Sequence, residues 1–90
     1  MLFRSELVLC EPFLLPVEPV MQSWREDLDP KIEVVHRLAT EYGAVLVPFD
    51  RHFTELAKQQ PMAELAGDGI HPSVAGHQAM AELWLDCVLG

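Results

Sequence analysis

The sequence predicts an α/β fold with parallel strands. Three observations carry that expectation. Two short apolar runs, Leu7 to Cys10 and Ala44 to Val47, show no polar–apolar alternation, as expected of strands buried on both faces of a parallel sheet. An amphipathic helical pattern lies between them, which supplies the crossover that parallel strands need. Further helical patterns follow the second run, giving the order β-α-β-α-loop-α.

Leu7-Val8-Leu9-Cys10 reads as the first strand, and Glu11-Pro12 ends it because proline cannot donate to a ladder. Residues 11 to 30 carry Pro12, Pro16, Pro19 and Pro30 and are expected to form a long irregular connection. Phe13, Leu14, Leu15 and Trp24 within it should lie on an apolar surface. A helix is expected from Asp29, which can cap free N–H groups, with Pro30 in the first helical position. Ile32, Val35, Ala39 and Tyr42 fall on one face, with Val34 and Leu38 beside them. Gly43 suits the left-handed position that closes a helix.

Ala44 to Val47 reads as the second strand, and Pro48 stops it. Phe49 to Gln60 reads as a short helix whose Phe53, Leu56 and Ala57 share a face. Residues 61 to 72 read as a loop punctuated by Pro61, Gly67, Gly69 and Pro72. The last helix should start after Ser73, a good cap. Its apolar stripe would be His77, Met80, Ala81, Trp84, Leu85 and Val88, which places His77 in a packed position.

Composition narrows the functional classes. Of 90 residues, half are apolar and 22% are charged, the balance of one small folded domain. The formal net charge is −8, with only six Lys and Arg, so nucleic acid and anionic membrane are not expected partners. Two cysteines, Cys10 and Cys87, are too few for a zinc ribbon or a disulfide scaffold and are expected to be buried free thiols. The apolar run at Leu7 is short and flanked by Glu6 and Glu11, unlike a secretory leader, so a cytoplasmic protein is expected. No stretch has the length of a membrane span. His36, His52, His71 and His77 show no metal-ligand spacing, and no cofactor is implied.

The chemistry concentrates in Gly67-Asp68-Gly69-Ile70-His71-Pro72-Ser73. Asp68 and His71 stand three residues apart, so a turn would bring both side chains to one side. A carboxylate that accepts the Nδ1 proton of a histidine fixes its tautomer and leaves Nε2 free as a base. Spacing alone favours a pair that braces a helix start over an acid–base pair. Ser73 is read as the cap of the last helix. Ser5 and Ser23 lie outside any strand-to-helix elbow of the kind that exposes a nucleophile.

Asp68-Gly69-Ile70-His71-Pro72, followed by Gly76-His77, resembles the last conserved block of the GDSL, or SGNH, esterases and lipases. Cys10-Glu11-Pro12-Phe13-Leu14-Leu15-Pro16 resembles the stretch after their fourth strand. Tyr42-Gly43-Ala44 to Pro48-Phe49-Asp50 resembles their fifth. The resemblance implies a flavodoxin-like, three-layer α/β/α hydrolase fold, of which residues 1–90 would be the C-terminal βαβα portion of a single domain. It assigns Asp68 the orienting acid and His71 the general base of a Ser-His-Asp triad for carboxylic ester hydrolysis. The family's Gly-Asp-Ser nucleophile motif, oxyanion-hole glycine and asparagine have no counterpart here. The chain alone is therefore expected to be inactive, with a small-molecule ester as substrate of the complete protein. The alternative is an inactive remnant or interaction module. Such a module would dimerise, or would pair with a partner that supplies the missing half, through the open edge of the first strand.

Overall fold

The computed structural model describes residues 7–90. Ser5, one of the serines weighed above, lies outside them. Strand β1 (Val8–Cys10) and strand β2 (Val45–Val47) pair in parallel, with Val8 opposite Val45, Leu9 opposite Leu46 and Cys10 opposite Val47. The ladder is bounded by Val45 N–H donating to Leu7 O at 2.8 Å and Glu11 N–H donating to Val47 O at 3.0 Å. Two strands are a small sheet, and the helices supply most of the remaining structure.

Helix α1 (Arg25–Tyr42) connects the strands and packs on both. It begins four residues before the expected cap at Asp29. A 3-10 turn over Pro19–Trp24 leads straight into it, so the irregular part of the connection is shorter than the sequence suggests. Pro30 therefore lies inside the helix rather than at its start. Its missing N–H removes one helical bond, a loss that propensity alone would count against such a helix. Long-range contacts offset it. The Arg25 side chain is anchored outside the helix, and Asp29 receives Arg25 Nη2 at 2.7 Å instead of capping. Glu26 and Asp27 sit in the first turn, where the helix dipole favours acids.

The half-covered or buried face of α1 is Ile32, Val35, His36 and Ala39, while Tyr42 is exposed, contrary to the expected stripe. Gly43 ends the helix at φ +62°, and Ala44 N–H donates back to Ala39 O at 2.8 Å, a Schellman closure.

Helix α2 (Phe49–Leu56) is shorter than the expected Phe49 to Gln60, because turn bonds take over beyond Leu56. A one-turn helix, α3 (Met62–Leu65), occupies part of the expected loop. Helix α4 (Val74–Leu89) starts where the sequence places it, capped by Ser73. Its covered positions are Gly76, Ala79, Met80, Leu83, Cys87 and Val88. The expected stripe was rotated from this one. Trp84, Leu85 and His77 are exposed, so His77 is not packed. Apolar residues surround much of this helix, which leaves the phase of the stripe poorly defined by sequence. Cys10 is also exposed, unlike the buried thiol expected, and Cys87 is half-buried.

Val47 of β2 is fully buried, and the largest buried cluster gathers residues from outside the sheet. Leu15, Phe53, Leu65 and Ala66 are nearly solvent-free, with Phe13, Leu56, Met62, Ala79 and Met80 packed against them. The Phe13 and Phe53 rings meet at 4.5 Å between centroids, tilted by 50°. Leu14 and Leu15 are buried as expected, whereas Trp24 is exposed. This cluster joins residues 13–15, α2, α3 and α4, and it supports the turn that carries Asp68 and His71.

Candidate active site

Residues 67–72 form a tight turn between α3 and α4. Gly69 adopts φ +83°, a conformation that favours glycine. A Cβ there would also collide with the Leu15 carbonyl and the Met21 side chain. Gly69 is held from both sides: its N–H donates to Ala66 O at 3.0 Å, and its carbonyl accepts from Leu15 N–H at 3.0 Å. The end of the turn is held by Ser73. Its N–H donates to Leu65 O at 2.8 Å, and its Oγ accepts from Gly76 N–H at 3.0 Å. The Ser73 hydroxyl also points its proton toward the carbonyls of Glu64 and Leu65, at 2.6 and 3.0 Å. Ser73 is thus committed to the helix start, as its sequence position implies.

This turn brings Asp68 and His71 together. Asp68 Oδ2 stands 2.5 Å from His71 Nδ1. Asp68 Oδ1 accepts from the backbone N–H groups of Ile70 and His71, at 2.8 and 2.7 Å. The histidine bond and these two N–H bonds favour the charged carboxylate and hold the Asp68 carboxyl well below the usual carboxylate range. The Asp68 side chain is 53% exposed and that of His71 is 82% exposed. With Nδ1 turned to the carboxylate, Nε2 is the ring nitrogen left for chemistry, and among the described residues no hydrogen bond engages it. An imidazole oriented in this way can take and return a proton, and the carboxylate stabilises its charged form.

The other histidines do not join this pair. His36 Nε2 bonds the Glu11 carboxylate, and His52 lines a shallow groove with Leu56, Gln60 and Ala79. Among the described residues, no three His, Cys, Asp or Glu side chains converge as a metal site would require. No helix among them is long and apolar enough to cross a membrane.

Sequence reasoning missed a buried charged network behind the site. Glu11 and Asp50 are 4% and 8% exposed. Glu11 Oε1 accepts from the N–H groups of Asp50 and Arg51, at 3.0 and 3.2 Å, and so caps α2. Asp50 receives both terminal nitrogens of Arg25 at 2.7 Å, a two-pronged pair, and its Oδ1 also accepts from Leu14 N–H at 3.1 Å. The Asp50 carboxylate pushes the Arg25 guanidinium above its ordinary value. The available signals were an acid at each critical boundary: Glu11 where β1 ends and Asp50 where α2 begins.

A profile of the family described as GDSL-like lipase/acylhydrolase matches residues 12–84. The chain belongs to this family. An acetylxylan esterase from Geobacillus stearothermophilus is 33% identical over 79 residues, which is 88% of this chain and 36% of that protein. Its crystal structure superposes with a TM-score of 0.76 at 34% identity, covering 90% of this chain and 36% of that one. A putative GDSL-like lipase from Parabacteroides merdae superposes with a TM-score of 0.84 at 31% identity, covering 91% of this chain and 38% of that one. Structures of the acetylxylan esterase also include a serine-to-alanine and a histidine-to-alanine form, both described as catalytic mutants. This GDSL chain spans little more than a third of the length of these relatives. Its two parallel strands and their helices are part of the α/β fold of GDSL hydrolases.

Proposed function

We propose that residues 1–90 are the C-terminal portion of a GDSL ester hydrolase domain, and that Asp68 and His71 are the acid and base of its catalytic triad. The observation that carries this reading is the 2.5 Å contact between Asp68 Oδ2 and His71 Nδ1 on an exposed turn. The family's serine would come from the portion of the domain that these residues do not include.

The chemistry then follows two steps. His71 Nε2 takes the serine proton as the serine oxygen bonds the acyl carbon, and gives that proton to the departing alcohol. Water next attacks the acyl-enzyme. His71 takes the water proton and returns it to the serine as the acid leaves. Asp68 holds the tautomer and stabilises the imidazolium in both steps. The substrate class is a small carboxylic ester, and the relative named for acetylxylan supports a short acyl group.

Exposed apolar side chains support the reading of a partial domain. Leu7, Tyr42, Leu85 and Leu89 are 52%, 65%, 49% and 73% exposed. In the complete domain these side chains would be available for contact with its remaining portion. The same side chains, together with an edge of β1 that no strand among the described residues covers, would let the isolated chain self-associate. Sedimentation velocity checks this, and a monomer with a cooperative melt would contradict it.

The functional test joins this chain to the serine-bearing N-terminal portion of the acetylxylan esterase. Turnover of a chromogenic acetate ester is expected from the joined protein and not from the 90-residue chain alone. A serine-directed phosphonate should label the joined protein only. Specific labelling of a serine in the isolated chain would overturn the reading.

A further inference from the structure

We propose that Asp50, gripped by Arg25, is a positioning residue for the Asp68–His71 pair and acts through the backbone of Leu14 and Leu15. The proposal rests on the reading of that pair as acid and base. An anion 8% exposed is costly to bury unless each oxygen is satisfied. Asp50 meets that demand. Oδ1 receives Leu14 N–H at 3.1 Å and Arg25 Nη1 at 2.7 Å, and Oδ2 receives Arg25 Nη2 at 2.7 Å. Arg25 Nη1 also donates to Leu14 O at 3.1 Å. One ion pair therefore holds both the N–H and the carbonyl of a single residue.

The planar fork of guanidinium and carboxylate has a defined geometry, so it fixes orientation as well as distance. The next N–H along the chain, that of Leu15, donates to Gly69 O at 3.0 Å. Gly69 sits between Asp68 and the two N–H groups that Asp68 accepts. Met21, 3% exposed and placed just before Arg25, packs on the same glycine. A displaced Leu14 would thus displace Gly69, and with it the angle between Asp68 and His71. Errors near 1 Å in such geometry can lower turnover on the order of 100-fold.

The test uses the 90-residue chain itself. The Asp68 side-chain carboxyl is followed by carbon-13 NMR as the pH is lowered, in the wild type, Arg25→Lys and Asp50→Asn. Arg25→Lys keeps the charge and loses the fork, and it decides the outcome should Asp50→Asn not fold. In both variants the Asp68 titration is expected to move up by about one pH unit, a tenfold change in proton affinity. Gly43→Ala, at the far end of α1, lowers stability without touching Leu14 and should leave the titration unmoved. If Arg25→Lys and Asp50→Asn lower the thermal midpoint while Asp68 titrates as in the wild type, the role is only structural and the proposal is overturned. If the titration moves as expected but the joined esterase is unaffected by losing His71, the coupling stands and the functional reading fails.

Discussion

The backbone N–H of Leu15 reaches the carbonyl oxygen of Gly69 at 3.0 Å, and this bond ties the segment after β1 to the turn that carries Asp68 and His71. The two segments are far apart in sequence, so the geometry of the candidate site is a property of the packed chain and not of the turn alone. Gly69 is the residue that permits the approach.

Gly69→Ala should therefore be the most damaging glycine substitution. It combines a positive φ with a collision against the Leu15 carbonyl. The expected loss is about 2–4 kcal/mol, measured by urea denaturation. A loss below about 0.5 kcal/mol would show that the turn relaxes freely.

Two other glycines make a contrasting pair. At Gly43, with φ +62° and open space for a Cβ, alanine should cost about 1 kcal/mol through backbone conformation alone. At Gly67, also with open space and without a positive φ, alanine should change stability by no more than about 1 kcal/mol, toward a more stable chain. Parallel thermal melts of the two variants check the ranking.

Ser73→Ala should destabilise the chain by about 1–2 kcal/mol, because it removes the bond from Gly76 N–H and the hydroxyl contacts to the end of α3. Ser73→Asp should recover part of that loss in the same melts, since aspartate also caps. Equal damage from both would point to the contacts with α3 as the dominant effect.

The acid behaviour of Asp68 has a defined sign. Its native carboxyl lies below the usual range, first through His71 and then through two backbone N–H groups. Its contribution is therefore complete above the ordinary carboxylate range and is lost as pH falls through the lower native value. His71→Ala should shift the carbon-13 titration of the Asp68 carboxyl upward, toward that ordinary range. An unchanged titration would show that the backbone N–H groups alone hold the carboxylate.

Much of this was legible in the sequence, for reasons visible at particular residues. The strands were marked by unbroken apolar runs, Gly43 by its place after a helical pattern, and Ser73 by its position before one. The start of α1 was hidden because Pro30 and Asp29 imitate a helix start. The actual start depends on Arg25 reaching Asp50, a contact that no local pattern records. The stripe of α4 was misphased because apolar residues occupy most of its faces. At the site, Asp68 and His71 could be named through the family resemblance, whereas their spacing alone favoured a brace over an acid–base pair. The network of Glu11, Arg25 and Asp50 escaped notice because charged residues near strand and helix ends are ordinarily solvated.

The role proposed for His71, oriented by Asp68, is that of general base of a GDSL esterase. Its most direct measurement is the turnover of a chromogenic acetate ester by the joined protein, with and without His71→Ala, after circular dichroism has shown both to be folded. On losing His71, kcat should fall by at least about 1,000-fold. Turnover in the His71→Ala protein within about 10-fold of the parent would contradict it.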